Sequence, residues 1–214
     1  MVLGIITAVA ACPGIIGTTE AVRQGQRQNA KEKHRGLKTN LVVSCSGTQD
    51  GSQEVHGRSV VLHNNKLYIN TPSLPKSTIK PHPFAGYFLP HPSHSWRRLG
   101  EGLVSTISDE PPQLNWIYVD TNTHEVKYGY RVDCEGQLVG PWNVTPVGKR
   151  LTLEGWEGFI ALEEIRGSGI WEVAFDRDAD GLMEEEHKEV EVEYEIVDED
   201  EKKGAGEASD GGIE

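Results

Sequence analysis

The sequence predicts a mainly β fold, an antiparallel sandwich or a closed barrel, with an N-terminal helix before it and a disordered acidic tail after it. Three observations carry this prediction. Short apolar runs alternate with turn residues from residue 41 onward, and the segments between them lack the apolar stripe of an amphipathic helix. Residues 189–196 alternate strictly between glutamate and apolar residues, as a half-buried strand does. Charge is also divided unevenly along the chain.

The charge distribution separates three parts of the 214-residue chain. Residues 1–40 have six basic and two acidic residues, residues 41–175 have 11 and 14, and residues 176–214 have 4 and 17. We therefore predict an apolar segment plus a basic helix at 1–40, a β-rich globular domain at 41–198, and a disordered acidic tail at 199–214. The net charge of −12 argues against nucleic acid as a partner, because phosphates need a positive footprint.

The N-terminal segment combines an apolar run with a basic helix. Residues 2–16 are apolar but shorter than the ~20 residues of a membrane-spanning helix. No Lys or Arg precedes the run, which disfavours a secretory signal. A helix from Thr18 or Thr19 to about residue 35 has almost no apolar face. Its basic residues are Arg23, Arg27, Lys31, Lys33 and Arg35. We therefore predict that residues 1–38 bind an anionic membrane surface. The alternative is that residues 2–16 pack on the domain.

Cysteine usage bears on the compartment. The three cysteines, Cys12, Cys45 and Cys134, are far apart and form no C-x-x-C pair. This pattern favours a reduced chain without a thiolate zinc site. We expect a cytoplasmic protein, membrane-associated if the basic helix binds a bilayer, rather than a secreted one.

The middle of the chain predicts about nine short strands. Asn64-Asn65 and residues 120–123 mark two hairpins, because Asn and Asp favour tight turns. Residues 71–95 hold six of the eleven prolines and predict an irregular excursion, with a short strand at 87–89. Val190, Val192, Tyr194 and Ile196 share one face of the last strand. Many short strands without intervening helices also fit a β-trefoil.

Two stretches resemble a family of uncharacterised proteins from filamentous fungi, some of them labelled ricin-B-lectin-like. They are CPGIIGTTEAVRQGQRQNAKEKHRG at residues 12–36 and RLTLEGWEGF at residues 150–159. The resemblance covers most of residues 1–182 and implies no known activity. Ricin-type β-trefoils repeat a Q-x-W motif, whereas this chain has Gln113-Leu-Asn-Trp116. No sugar-binding residue is therefore carried over.

A short acidic loop follows residue 175. Asp176, Asp178 and Asp180 alternate and a glycine follows, which is how a loop surrounds Ca²⁺ with oxygen ligands. The twelfth position is His187 instead of the bidentate glutamate of an EF-hand, and a strand precedes the loop instead of a helix. Calcium is the one cofactor that the sequence suggests, and a solvated acidic turn is the alternative.

Two of the five tryptophans, Trp142 and Trp156, each follow a glycine-containing turn. An exposed tryptophan on a loop can stack on a sugar ring or a partner's side chain, and core packing is the alternative. No hydrolase, kinase, metalloprotease or dinucleotide motif is present. We therefore predict a non-enzymatic domain for binding or scaffolding whose ligand is a protein or a carbohydrate. A lectin-like module and a hydrolase or transferase with a loop-built site are the alternatives.

Overall fold

The computed structural model describes residues 37–45, 51–74, 80–96, 99–179, 182 and 189–198. These residues form strands and one short helix, α1, at Ser52–Val55. The first seven strands are β1 Thr39–Ser44, β2 Val60–His63, β3 Lys66–Ile69, β4 His82–Pro83, β5 Gly86–Leu89, β6 Gly102–Asp109 and β7 Pro112–Val119. The others are β8 Val126–Gly129, β9 Trp142–Val144, β10 Leu151–Leu153, β11 Phe159–Glu163, β12 Trp171–Phe175, β13 Glu189–Glu191 and β14 Glu193–Asp198.

Twelve of the described strands belong to one sheet, and β9 and β10 form a separate pair. Every pairing between them is antiparallel. The sheet runs as the open path β13-β11-β12-β3-β8-β7-β6-β5-β1-β14, and off this path β2 pairs with β3 and β4 pairs with β2. The prediction of a mainly β, antiparallel fold is thus confirmed. A single large sheet does not fit a two-sheet sandwich, and an open path of pairings is not a closed barrel.

Local turn chemistry sets several of these pairings. Asn64 and Asn65 have φ of 46° and 63°, the positive values that a two-residue hairpin turn requires, and they join β2 to β3. Asp120 accepts hydrogen bonds from the amides of Asn122 and Thr123, which forms the turn between β7 and β8. Both hairpins therefore follow the sequence prediction, because the residues at each turn specify its geometry.

The core is aromatic at its centre. The ring of Phe159 contacts Trp142, Phe175 and Tyr194 at centroid distances of 6.0, 5.1 and 5.5 Å. Tyr194 belongs to the alternating C-terminal strand, whose Val192 and Ile196 are also buried, as the alternation predicts. The central cavity is lined by apolar and aromatic residues, with no histidine or carboxylate. The C-terminal segment therefore completes the core, with β13 paired to β11 and β14 paired to β1.

Candidate functional site

Trp156 lies on the surface at the end of a tight hairpin. Its backbone exchanges two hydrogen bonds of 3.0 Å with Leu153, and the two residues between them, Glu154 and Gly155, have φ of 54° and 83°. Two consecutive positive φ values are those of a type I′ turn, in which glycine relieves the strain at the second position. The side chain that follows this turn is 48% exposed. Trp156 is thus a large aromatic side chain presented by a rigid turn.

The indole of Trp156 is held in place from below. Its Nε1 donates a hydrogen bond to the main-chain oxygen of Asp176, at 3.1 Å. The ring also lies against Gly158, where an added Cβ would come within 1.9 Å of the indole nitrogen. Glycine is therefore required there for this edge of the ring to pack against the backbone. An aromatic ring fixed before a ligand arrives loses little conformational freedom on binding.

Two ion pairs flank the exposed indole. Arg177 forms a two-contact pair with Glu154, its Nε lying 2.8 Å and its Nη2 3.0 Å from the two carboxylate oxygens. Arg150 donates from Nη1 to Glu157 at 3.1 Å. Each glutamate comes from the Trp156 turn and each arginine from a neighbouring segment. We call Trp156, Glu154, Glu157, Arg150 and Arg177 the tryptophan site, which combines an apolar face with balanced donors and acceptors.

Trp142, the other tryptophan predicted to bind ligand, is not on an exposed loop. It lies in β9, is 1% exposed and packs against Phe159. Two backbone hydrogen bonds with Glu101, at 2.7 and 2.9 Å, fix its strand on the core. The prediction of an exposed Trp142 is corrected here, because long-range pairing directs the side chain inward. No ring face of Trp142 is open to a ligand.

The proposed calcium loop is only partly described. Asp176 is buried, and its amide donates to Gly158 at 2.8 Å, whereas Asp178 is exposed and Asp180 lies outside the described residues. Among the described residues, no three His, Cys, Asp or Glu side chains converge as a metal site would require. Calcium at these three aspartates stays a prediction, and a melting curve in Ca²⁺ against chelator tests it.

The N-terminal and C-terminal predictions fall on residues that are not described. The basic residues Arg23, Arg27, Lys31, Lys33 and Arg35 and the acidic tail at 199–214 lie outside the described ranges. Within those ranges, no helix has the length and apolar character needed to cross a membrane. Binding to an anionic membrane through residues 1–38 stays a prediction, which co-sedimentation with liposomes tests.

A cluster of charged side chains with shifted pKa values lies elsewhere, where β3, β8 and β12 meet. The ammonium of Lys66 donates to both Glu125 and Glu172, and Lys127 lies 2.7 Å from Glu125. Burial opposes the charge on Lys66, but its two carboxylate partners hold the lysine pKa above its ordinary value. Hydrogen bonds from Lys127, Lys66 and Thr123 outweigh burial at Glu125 and lower its pKa, whereas burial dominates at Glu172 and raises its pKa.

This network joins three strands of the sheet, so we assign it a structural role. Lys66 lies at the start of β3, directly opposite Lys127 of β8, while Glu172 lies opposite Tyr68 of β3. The members were not singled out by the sequence reasoning, since each is an ordinary charged residue in a strand or turn. Only the register of the sheet brings them together.

A second surface cluster was only half visible in the sequence. His91 and His94 lie at the two ends of a proline-containing turn, and Trp96 follows His94 by two residues, but Trp116 comes from β7. The ring of His94 stacks on Trp96 at 4.8 Å, and His91 meets the edge of Trp116 at 4.9 Å. His82, the third histidine of this proline-rich stretch, instead pairs with Asp109. The structure therefore forms an aromatic cluster here.

One comparison with known proteins identifies the family. The model of the fungal beta-trefoil domain matches residues 17–198, which covers most of the chain. No curated protein matches the chain, and no solved structure matches it. The match confirms the resemblance carried by residues 12–36 and 150–159, and it selects the β-trefoil among the predicted β folds. The chain belongs to the fungal beta-trefoil domain family.

Proposed function

We propose that this β-trefoil domain is a non-enzymatic module that binds a neutral saccharide at the tryptophan site. The observation that carries the proposal is the half-exposed ring of Trp156, fixed by its type I′ turn and by a hydrogen bond to the Asp176 main chain. The C–H face of a pyranose is apolar, and it packs well on the face of an exposed indole.

The flanking charges support a saccharide in particular. Glu154 and Glu157, on either side of Trp156 in the chain, accept hydrogen bonds, and Arg150 and Arg177 donate them. Sugar hydroxyls both donate and accept, so they match a set that contains both kinds of group. The two pairs also cancel in charge, which favours a neutral ligand over an acidic one.

The other functions predicted from the sequence find less support. A protein partner could use the same tryptophan as an anchor, because tryptophan is enriched at interface centres. The hydrolase or transferase alternative needs a cleft with titratable groups. The central cavity provides no histidine or carboxylate, since Leu41, Trp142, Phe159 and other apolar or aromatic residues line it.

Screening on an immobilised panel of neutral and acidic glycans, followed by titration calorimetry of the best ligand, tests the proposal. Trp156→Ala should weaken binding at least about thirtyfold, because a central aromatic anchor contributes about 2 kcal/mol or more. Trp156→Phe should retain part of the affinity, since a smaller ring remains. Ile165→Ala is the matched control, because Ile165 is an exposed apolar residue on a different turn.

Two results would contradict the proposal. One is a panel on which no neutral saccharide binds the intact protein. The other is a saccharide whose affinity is the same for Trp156→Ala as for Ile165→Ala, which would place the ligand elsewhere. Binding of a protein by the Trp156 surface, with no saccharide bound, would favour the protein-partner alternative instead.

A further inference from the structure

The residues 91–94 form a β-turn that covers aromatic surface on the outside of the sheet. The amide of His94 donates to the carbonyl of His91 at 3.1 Å, which closes the turn. His91 is 6% exposed and contacts three rings, those of His94 at 4.9 Å, Trp116 at 4.9 Å and Trp96 at 6.0 Å. We call residues 91–94 the histidine turn. Beneath it, Trp96 and Trp116 pack on Tyr118, Cys134 and Val139.

Hydrogen bonding fixes the protonation state of His91 in this closed arrangement. Its Nδ1 accepts a hydrogen bond from the amide of Ser93 at 3.3 Å. A neutral imidazole has one acceptor nitrogen and one N–H, so the proton is on Nε2. That Nε2 is buried and has no hydrogen-bond partner among the described residues. In the closed turn, neutral His91 therefore accepts a hydrogen bond at Nδ1, and its Nε2–H has no partner among the described residues.

The charged groups around His91 oppose a second proton. Burial, then His94, then Arg131 hold the pKa of His91 below its ordinary value of 6.5. Arg131 belongs to the chain segment after β8 and is tied to the turn through a 3.2 Å hydrogen bond to the Ser93 hydroxyl. Among the described residues, no carboxylate bonds to His91, and Asp133 accepts instead from the Tyr130 amide. Burial raises the pKa of Tyr118 and of Cys134, the latter to about 11, so neither titrates in acid.

We propose that the histidine turn is an acid-sensitive latch, which covers Trp116 at neutral pH and releases it when His91 is protonated. A protonated imidazole has two N–H donors and no acceptor. Its Nδ1–H would then face the Ser93 amide, donor against donor, and the hydrogen bond that seats the ring is lost. The new charge would also lie beside Arg131 and His94, with no described carboxylate to compensate it.

The direction of the pH dependence follows from linkage. The closed turn binds fewer protons at His91 than the open turn does, because the histidine pKa is lower when the turn is closed. The closed form is therefore most stable above the ordinary pKa, about 6.5, and loses stability as pH falls below it. Opening of the turn uncovers the ring of Trp116, close to protonated His91 and to Arg131.

Acrylamide quenching of tryptophan fluorescence on the full-length protein tests the latch. The quenching constant should rise about twofold between about pH 7.5 and about pH 5, since Trp96 and Trp116 become accessible while Trp142 and Trp171 stay buried. His91→Gln should remove the rise, because glutamine does not titrate. His94→Gln should move its midpoint to higher pH, since one opposing charge is gone. His82→Gln is the control outside the turn and should behave like the parent.

Three results would overturn the latch. The first is a parent quenching constant that does not change over this pH range. The second is an equal rise in His91→Gln and the parent. The third is loss of the strand signal in circular dichroism over the same range, which would show global unfolding instead of a local opening. An unchanged circular dichroism spectrum together with the His91-dependent rise would support it.

Discussion

Trp142 and Trp156 are both linked to Leu153, yet one is a core residue and the other a surface residue. Leu153 pairs with Trp142 across β9 and β10, and it bridges to Trp156 through the type I′ turn. Trp142 is 1% exposed and contacts Phe159, whereas Trp156 is 48% exposed and contacts the backbone at Gly158. Of the two tryptophans that pair with Leu153, Trp142 therefore packs in the core and Trp156 exposes its ring to solvent.

The difference shows what decides the role of a tryptophan in this domain. Both residues follow a turn in the sequence, so the local pattern predicts an exposed side chain for each of them. Trp142 is committed to the core by backbone hydrogen bonds to Glu101, 41 residues earlier in the sequence. Trp156 has local backbone bonds, and its ring bonds only to a main-chain oxygen. We expect stability to depend on the first tryptophan and recognition on the second.

Replacing the core tryptophan should have the largest effect on stability. Trp142→Ala should lower the free energy of unfolding by about 3–5 kcal/mol, because it removes a buried indole and leaves a cavity beside Phe159. Trp156→Ala should change the same quantity by about 0.5 kcal/mol or less, as is usual at an exposed position. Urea unfolding of both variants measures the difference. Equal losses would show that Trp156 is a packing residue too.

Adding a methyl group at Gly158, against the exposed ring of Trp156, should have the next largest effect on stability. Gly158→Ala would place a Cβ 1.9 Å from the Trp156 nitrogen and 2.5 Å from the Asp176 oxygen. We expect a loss of about 1–3 kcal/mol from this overpacking, together with loss of saccharide binding as the ring is displaced. Gly155 has no neighbour within 4 Å of an added Cβ, so Gly155→Asn, which tolerates positive φ, is the matched control. Retained binding in Gly158→Ala would show that the ring position does not matter.

Removing one carboxylate of the lysine network should have a smaller effect, and the two glutamates should differ. Glu125→Gln should cost about 1–2 kcal/mol at neutral pH, because Glu125 compensates both Lys66 and Lys127. Since the pKa of Glu125 is lowered, this difference should be present above its ordinary pKa of 4.5 and disappear as pH falls through the lower folded value. Unfolding measured over a pH series tests this.

Glu172 gives the contrasting case in the same network. Because burial raises the pKa of Glu172, its charged form is disfavoured by folding, and lowering the pH relieves that cost. Glu172→Gln should therefore be less destabilising than Glu125→Gln at neutral pH, and its stability relative to the parent should fall as the parent's Glu172 is protonated. Identical pH profiles for the two variants would contradict this assignment.

The exposed ion pair beside Trp156 should have the smallest effect on stability. Arg177→Met should change the free energy of unfolding by about 0.5 kcal/mol or less, because an exposed pair is screened by solvent. The same variant should weaken saccharide binding, since one donor beside the ring is lost and Glu154 becomes free to move. A large loss of stability would mean that the pair supports the fold, and an unchanged affinity would remove Arg177 from the tryptophan site.

Features specified by short stretches of sequence could be predicted, and features specified by distant pairing could not. The Asn64-Asn65 turn and the alternation through Tyr194 are local, and both occur as predicted. The strand β6, Gly102–Asp109, was missed because serine and threonine interrupt its apolar residues, although Ser105 is buried and bonds to the Ala85 amide. Strand β10 pairs with β9 and not with β11, the next strand along the chain, which pairs with β12 and β13.

The same division between local and distant contacts applies to the candidate site. The turn at Glu154-Gly155 marks Trp156 as a surface residue, which the structure shows. The arginines that complete the site come from positions 150 and 177, and the arrangement of β10, β11 and β12 brings them to Glu157 and Glu154. In the histidine turn, Trp116, which meets the ring of His91, likewise comes from β7, and Arg131, which bonds to Ser93, comes from the segment after β8. No spacing in the sequence indicates such contacts.

Oxidation of tryptophan by N-bromosuccinimide, with peptide mapping by mass spectrometry, tests most directly whether Trp156 presents its ring to a saccharide. Trp156 should be oxidised first and Trp142 and Trp171 last, because the latter two are buried. A neutral saccharide from the panel should protect Trp156 and leave the order of the others unchanged. Protection confined to another tryptophan, or oxidation of Trp156 at the same rate with and without bound saccharide, would contradict the proposed site.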